Sequence, residues 1–331
     1  MKKVKEDKIT WGIIGAGDVC EIKSAPAMNK VPDSSIRAIM RRNAVKAEDY
    51  AKRHKIPIWH TDADRIINDP EINAVYIATP PASHAELAIK AAGAGKPVYV
   101  EKPMARTHNE CLDMIKAFEK ANVPLYVAYY RRALPNFLKV RDLINSEAIG
   151  DVRMVNIELY QPLEQDPVMG QENPWRVDPE VAGGGHFYDL ASHQLDILDF
   201  ILGPIKQAGG FSANQAKMYK AEDIVTSSFI FDNGVLGCGS WCFTTGRSVE
   251  KEITTIIGSR GKISFGTFNT TVTIDTDYSG SETFEFQMPD HIQQPLIERV
   301  VNDLLGKGSS PSTGTSGART NLIMEKMCNP G

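Results

Sequence analysis

The first 130 residues alternate short apolar runs with longer amphipathic ones. The short runs predict six strands, ITWGII, IRAIM, IPIWH, AVYIA, PVYV and LYVAYY. Between strands, SHAELAIKAAGAG and THNECLDMIKAFEKAN show helical spacing, and Thr107 with Glu110 three residues later predicts a capping box for the second helix. This alternation predicts a parallel, doubly wound α/β sheet.

Beyond residue 150 the pattern changes to strands with few helices between them. DVRMVNIELYQ predicts a strand, and a glycine-led helix over 186–202 ends near Gly203. A hairpin follows, because Asp-Asn-Gly between IVTSSFIF and VLGCGSWCF suits a tight turn. EITTIIGSRGKISF and TVTIDTDYSGSETFEF predict two more hairpins, and helices near 291–305 and 316–328 close the chain. The order predicts an α+β region on a largely antiparallel sheet.

Composition and charge exclude several classes of protein. The chain has 331 residues, with 37 Lys and Arg against 41 Asp and Glu, and its net charge of −4 gives no electrostatic footprint for nucleic acid. No stretch reaches the ~18 uninterrupted apolar residues of a membrane span. Five scattered cysteines argue against a disulfide framework and favour a reducing cytoplasm. Cys238 and Cys242 have no second pair at zinc spacing, so we expect two thiols packed in a strand.

The first predicted strand ends in a glycine-containing turn that is typical of dinucleotide-binding sites. Two glycines directly after a strand let the backbone turn tightly and approach a pyrophosphate, which the next helix N-terminus also favours. Cysteine at the third small position is compact enough to keep that helix close to the sheet. The turn comprises Gly15, Ala16, Gly17, Asp18, Val19 and Cys20.

The end of the second predicted strand indicates which dinucleotide binds. An NAD site is expected to place Asp or Glu there for the ribose 2′-hydroxyl. This chain has Arg41 and Arg42 instead. Guanidinium groups pair with a 2′-phosphate, whereas a carboxylate would repel it, so NADP is favoured and NAD stays possible.

Three segments together resemble the Gfo/Idh/MocA oxidoreductases, which include glucose–fructose oxidoreductase, inositol dehydrogenases and dihydrodiol dehydrogenases. The segments are GAGDVC, VYIATPPASHAELAIKAAGAGKPVYVEKPMA and GGGHFYDLASHQLD, and they follow the family's order along the chain. The Glu-Lys-Pro tripeptide at 101–103 is the most specific signal. Asp189 and His193 match the family's Asp-x-x-x-His pattern.

The resemblance implies a fold and a set of cofactor-proximal residues. It implies a Rossmann doubly wound parallel sheet over 1–130, and an α+β substrate-binding and oligomerisation domain with a large, mostly antiparallel open sheet over 131–331. The family commonly has Asn or Phe just before Arg131, where this chain has Tyr129 and Tyr130, so the substrate pocket departs from the pattern. The implied residues bordering the cofactor are Thr79, Pro80, His84, Glu101, Lys102, Arg131, Trp175 and Arg176.

Oxidation of an alcohol needs a hydride acceptor and a group that removes the hydroxyl proton. His193 suits proton transfer because imidazole titrates near neutral pH. Asp189, one helical turn earlier, is close enough to orient or stabilise the ring. Lys102 would stabilise negative charge on the reacting oxygen. Tyr130 and His186 are further candidates for substrate contact.

The segment 186–196 also admits other interpretations. His186, Asp189, His193 and Asp196 recur at spacings of three, four and three, which places them on roughly one face of a helix. His186 could cap or pack, and Asp196 could be a buried hydrogen-bond acceptor. A zinc site from the first three is the rival hypothesis, but a nicotinamide reaction needs no metal, and we expect none.

We therefore expect an NAD(P)-dependent dehydrogenase or reductase acting on a sugar, polyol or related cyclic alcohol or ketone. The alternatives are an NAD-dependent glycosidase of the same fold and a non-catalytic dinucleotide-binding regulator. Lys102, Asp189 and His193 are all present, which favours an enzyme over a regulator. We also expect a homodimer or higher homo-oligomer formed through the second domain's sheet, with no nucleic acid or membrane as partner.

Overall fold

The computed structural model describes residues 4–163 and 174–328 and divides the chain into two compact units. The first unit comprises residues 1–133 and 289–318, and the second comprises 134–288 and 319–331. These units differ from the two contiguous segments expected from the sequence, because residues 289–318 belong with the first unit. The last of the three boundaries, between residues 318 and 319, falls within the last helix.

Fourteen strands are described, and they form two sheets. They are β1 (Ile9–Ile14), β2 (Ser34–Met40), β3 (Ile58–His60), β4 (Ala74–Ile77), β5 (Val98–Val100), β6 (Leu125–Val127), β7 (Val152–Pro162), β8 (Ile205–Ala213), β9 (Ile224–Phe231), β10 (Leu236–Thr245), β11 (Lys251–Gly258), β12 (Gly261–Phe265), β13 (Thr271–Thr276) and β14 (Gly280–Glu285).

Eleven α-helices are described, and no helix within 4–163 and 174–328 has the length and apolar character to cross a membrane. The helices are α1 (Asp18–Ile22), α2 (Ala25–Lys30), α3 (Ala44–Arg53), α4 (Ala63–Ile67), α5 (His84–Gly93), α6 (His108–Ala121), α7 (Pro135–Asn145), α8 (Pro179–Ala182), α9 (Ser192–Leu202), α10 (Gln294–Leu304) and α11 (Gly314–Cys328). The capping box predicted at Thr107 and Glu110 is confirmed at the start of α6.

The first sheet confirms the predicted doubly wound architecture. Its six strands are all parallel in the order β3-β2-β1-β4-β5-β6. Alternate strand residues enter two separate apolar cores, one that includes α10 and one that includes α5 and α6. The strand order reverses between β1 and β4, and ligands of such sheets bind outside the carboxyl ends of the strands at this point.

The second sheet confirms the predicted, mostly antiparallel open sheet. Its order is β14-β13-β12-β11-β7-β10-β9-β8, and the three predicted hairpins are present. The exception is the parallel pairing of β7 with β10. Burial alternates along β9 and β10, so one face of these strands is packed and the other is open.

The predicted helix over 186–202 differs from the structure in its first turn. Residues Phe187–Ala191 form a π-helical turn, and α9 continues from there until Gly203, whose φ of +94° ends the helix. The α-helical spacing expected for His186, Asp189 and His193 therefore does not hold across this turn. Isolated π turns within helices are frequent at functional sites.

Candidate active site

The dinucleotide turn after β1 is fixed by its neighbours at the carboxyl edge of the first sheet. Gly15 has φ +87°, and a Cβ there would lie 2.5 Å from Thr79 Cγ2, so this position requires glycine. The backbone N–H groups of Gly15 and Ala16 donate to Met40 O at 2.9 and 3.2 Å. A Cβ at Gly17 would meet only Gly15 O, at 3.7 Å, so a side chain there would extend into open space beside the exposed Asp18.

The backbone of this turn fits a bound dinucleotide. Gly17 is the N-cap of α1, whose first residues are Asp18 and Val19, and its open side leaves room for a pyrophosphate to approach the main chain. Cys20 is fully buried, as expected for the compact third position. Burial raises the pKa of its thiol to about 12, so Cys20 is a packing residue rather than a reactive one.

Arg41 and Arg42 follow directly after β2. The Arg41 backbone N–H donates to His60 O at 3.1 Å, Arg41 is half-buried and Arg42 is exposed. Within residues 4–163 and 174–328, no carboxylate forms an ion pair with either guanidinium. Both guanidinium groups could therefore pair with a phosphate at the strand end where a dinucleotide places its adenosine ribose.

His84 connects the loops that follow β4 and β5. Its Nε2 lies 2.7 Å from Thr79 O and its Nδ1 lies 3.1 Å from Pro103 O, and the ring is fully buried. Burial lowers the pKa of this imidazole. Ser83 Oγ also donates to Thr79 Oγ1 at 2.7 Å. The expected cofactor residues Thr79, Pro80 and His84 are thus brought together with the 101–103 loop, with His84 serving as an internal link.

Glu101 and Lys102 follow β5 but have different environments. Glu101 is 7% exposed, and Tyr76 Oη donates to its Oε1 at 2.7 Å. Its Oε2 accepts the Lys102 backbone N–H at 3.2 Å. Glu101 is therefore an interior anchor of the loop, while Lys102 is half-buried. After β6, the Arg131 guanidinium stacks over the Tyr130 ring, 4.9 Å from its centroid.

The second unit holds the other predicted residues on α9 and the segments near it. His193 is 5% exposed, and Asp189 lies on the π turn with its carboxylate 3.9 Å from Arg176 Nε. The Arg176 guanidinium stacks on the neighbouring Trp175 ring at 4.6 Å. Asp196 is 1% exposed, which agrees with its interpretation as a buried polar group.

His186 has an aromatic environment. It is 4% exposed, and its ring contacts Tyr219 edge-on at 5.6 Å and Phe243 at 5.4 Å. This packing favours a structural role for His186. In the two described ranges, no three His, Cys, Asp or Glu side chains converge in a way that could hold a metal ion.

A hydrogen-bond network that includes Gln194, the residue after His193, is not predicted by any sequence motif. Trp241 Nε1 donates to Gln194 Oε1 at 2.6 Å, and Gln194 Nε2 donates to Glu252 Oε1 at 3.3 Å. Glu252 in turn accepts the backbone N–H groups of Thr267 at 2.8 Å and Phe268 at 3.3 Å. The residue after His193 is therefore linked through one carboxylate to the loop at 267–268.

Two family models cover most of the chain. One, described as "Oxidoreductase family, NAD-binding Rossmann fold", matches residues 9–129, and the GFO/IDH/MocA C-terminal domain matches residues 137–264. This chain belongs to the Gfo/Idh/MocA family. The resemblance inferred from the motifs is confirmed, and the chain is an oxidoreductase with an NAD-binding domain.

Individual Gfo/Idh/MocA relatives agree with this assignment. Oxidoreductase P35 of Formosa agariphila is 38% identical over 325 residues, which cover 98% of this chain and 99% of that protein. Levoglucosan dehydrogenase of Pseudarthrobacter phenanthrenivorans is 34% identical over 167 residues, 50% of this chain and 42% of that protein. A structure of levoglucosan dehydrogenase with NADH and levoglucosan has a TM-score of 0.86 at 24% identity, covering 97% of this chain and 96% of that one, and shows the shared fold.

Proposed function

We propose that this chain transfers a hydride between NADP(H) and a carbinol or carbonyl carbon of a sugar, polyol or related cyclic alcohol. The observation that carries the proposal is a continuous set of contacts in the first unit. Gly15 packs against Thr79, and His84 joins Thr79 to Pro103. The dinucleotide turn and the loop bearing Lys102 thus form one packed edge, which suits a lysine that acts beside a nicotinamide.

Sugars as substrates are supported by the relatives. Relatives matching half or more of the chain include proteins described as levoglucosan dehydrogenase, D-xylose dehydrogenase and 1,5-anhydro-D-fructose reductase. We extend that substrate class to this chain. The choice of NADP over NAD rests on Arg41 and Arg42, two cations without a carboxylate partner among the described residues.

Each proposed catalytic residue has one role. In the oxidative direction His193 takes the hydroxyl proton as the carbon–hydrogen bond breaks, and in the reductive direction it returns that proton. The Lys102 ammonium stabilises negative charge on the reacting oxygen. The Asp189 carboxylate stabilises the protonated imidazole. The cofactor supplies the acceptor or donor of the hydride, so no metal is needed.

The experiment is a panel of sugars and polyols with NADP⁺ and NAD⁺, followed by the absorbance of the reduced nicotinamide. The panel includes levoglucosan, D-xylose, 1,5-anhydro-D-glucitol and 1,5-anhydro-D-mannitol, the last two being the alcohols that correspond to 1,5-anhydro-D-fructose. Sugar-dependent reduction of NADP⁺ is the expected result. Cleavage of aryl glycosides without net reduction would identify a glycosidase instead, and binding of dinucleotide without any turnover across the panel would contradict the proposal.

We also infer a cytoplasmic location. All five cysteines are free thiols in the structure, as expected for a protein of a reducing compartment.

A further inference from the structure

Gln293 lies at the centre of a buried polar network beneath the Glu-Lys-Pro loop. It is 0% exposed, and its Nε2 donates to Glu101 Oε1 at 2.7 Å. Tyr99 Oη donates to Gln293 Oε1 at 3.0 Å, and Tyr76 Oη donates to the same Glu101 oxygen as the amide. All these groups belong to the first unit, although Gln293 is 192 residues away from Glu101 in sequence.

The network has one consistent assignment of donors and acceptors. An ionised carboxylate only accepts, so the Gln293 amide must present its NH₂ group to Glu101 and its oxygen to Tyr99. Glu101 then receives two donors on Oε1 and the Lys102 backbone N–H on Oε2. A buried carboxylate needs such donors to compensate for lost hydration. The amide of Gln293 is therefore part of what fixes Glu101, and with it the backbone of Lys102.

The segment around Gln293 also contacts the end of α1, the helix that follows the dinucleotide turn. The Gln293 N–H donates to Lys23 O at 3.2 Å, and His291 Nδ1 lies 2.7 Å from Ile22 O. Ile22 is the last residue of α1, the helix that begins directly after Gly17. The Gln293 backbone N–H and the His291 side chain thus contact the end of α1, while the side chain of Gln293 contacts Glu101.

We propose that Gln293 is a positioning residue that sets the Lys102 loop relative to the dinucleotide turn. The inference rests on the proposed function, because it assigns Lys102 to the nicotinamide end of the cofactor. A substitution of the side chain leaves the backbone bond to Lys23 in place. The substitution should therefore weaken binding of the nicotinamide end of the cofactor and leave binding of the adenosine and pyrophosphate unchanged.

The decisive variant is Gln293→Glu, which replaces an amide donor with a second carboxyl group at hydrogen-bond distance from Glu101. Two such carboxyls share one proton at low pH and repel each other once both ionise. Four other titratable groups interact electrostatically with Glu101, besides the adjacent Lys102. They are Cys20 on α1, Tyr76 on β4, Tyr99 on β5 and His84. Burial raises the pKa values of Cys20, Tyr76 and Tyr99, so they stay neutral over the range tested.

The experiment titrates the full-length protein with NADPH and with 2′-phospho-ADP-ribose, which lacks the nicotinamide. The Kd and the emission of bound NADPH are followed between about pH 5 and about pH 8.5. Relative to wild type, Gln293→Glu should bind NADPH normally at the acidic end and about tenfold more weakly at the alkaline end, with altered emission. Affinity for 2′-phospho-ADP-ribose should match wild type throughout.

Two further variants complete the test. Gln294→Glu is the matched control, because Gln294 is the neighbouring glutamine and its side chain makes no hydrogen bond to Glu101; it should behave as wild type. Gln293→Met removes both amide hydrogen bonds without adding charge, and should weaken NADPH binding at every pH. It serves as the test if Gln293→Glu does not fold.

Three outcomes would overturn the inference about Gln293 and leave the proposed function standing. They are wild-type NADPH binding and emission in the Gln293 variants at all pH values, equal losses for both ligands, and the same pH-dependent loss in Gln294→Glu. If the wild-type protein binds neither NADPH nor NADH, the proposed function fails, and this inference fails with it.

Discussion

The ring of Phe268 meets the imidazole of His193 edge-on, with centroids 6.2 Å apart and planes at 82°. Phe268 is nevertheless 43% exposed. Its backbone is held by Glu252, which is itself bound to Gln194, the residue after His193. The helix that carries the proposed proton-transfer residue therefore also fixes the aromatic ring beside it. An apolar ring in this position shields one side of the imidazole from water, and under the proposed function it would offer a surface for the C–H groups of a sugar.

Replacement of Phe268 by Ala should lower kcat/KM for the sugar found in the panel. Aromatic contacts of this kind contribute about 0.5–1.5 kcal/mol, which corresponds to a roughly two- to tenfold loss. Steady-state kinetics at saturating NADP⁺ measures the effect. Tyr278→Ala removes another exposed aromatic side chain, 87% exposed in the turn after β13, and should have no effect. Equal kcat/KM values for Phe268→Ala and wild type would remove Phe268 from the site.

The Arg42→Asp variant should reverse the cofactor preference. Aspartate repels a 2′-phosphate and accepts a hydrogen bond from a 2′-hydroxyl, so the ratio of NADP(H) to NAD(H) affinity should fall by about ten- to a hundredfold. Fluorescence titration of both reduced cofactors measures this ratio. Arg65→Asp, which makes the same charge change at an exposed position on α4, is the control. Equal affinities for the two cofactors in wild type would contradict the NADP assignment.

The elements predicted correctly are those with a strong local pattern. The βα alternation of the first sheet, the three hairpins and the capping box at Thr107 were all readable from short segments. Strand β8 was missed, because KQAGGFSA lacks alternation and its residues are largely exposed at the sheet edge. The helix near 291–305 was predicted, but its place in the first unit depends on the burial of Leu296, Ile297 and Val300 in a distant core.

The site shows the same division between local and tertiary information. The glycine turn, Lys102 and the Asp189–His193 pair belong to recognisable motifs. Gln293 and Glu252 carry no motif, and each acquires its partners from residues far away in sequence. The π turn at 187–191 was also beyond prediction, because α-helical and π-helical turns accept the same apolar residues and differ only in hydrogen bonding.

Glu21 on α1 should make folding stability depend on acid pH. Arg53 binds both of its oxygens at 2.8 Å, and this pairing, assisted by His54, lowers the pKa of Glu21 to about 2. The unfolded value is about 4.3, so the pair stabilises the fold fully above about pH 5 and loses its effect as the pH falls toward 2.

The test compares thermal unfolding of wild type and Glu21→Gln between about pH 7 and about pH 3. The melting temperature of the variant should be lower at neutral pH, and the difference should shrink below about pH 4. Glu48→Gln, at an exposed position on α3, should match wild type at all pH values. A difference that stays constant down to about pH 3 would contradict the role assigned to Glu21.

The open face of the second sheet should form a homodimer interface. Leu236 pairs across the strands with Ile230 and with Met154, and these side chains are 55%, 36% and 37% exposed. Three neighbouring strands thus present one apolar row to solvent. Light scattering at micromolar concentration should give the mass of a dimer, and Leu236→Glu should reduce it to that of a monomer. Val45→Glu, at a 76% exposed position on α3, should stay dimeric. A monomeric wild type would contradict this prediction.

Removal of the imidazole in His193→Ala should lower turnover by about 10²–10⁴, the usual effect of losing a general acid–base. NADPH affinity should stay near the wild-type value, because we propose that the turn at 15–17 binds the phosphates, and this provides the internal control. Asp189→Asn should lower turnover less than His193→Ala does, since the proposed role of its carboxylate is only to orient or stabilise the ring. Lys102→Ala should lower turnover and also disturb nicotinamide binding. If His193→Ala turns over at the wild-type rate across the pH range, another group carries the proton, and Tyr130 and His186 become the candidates.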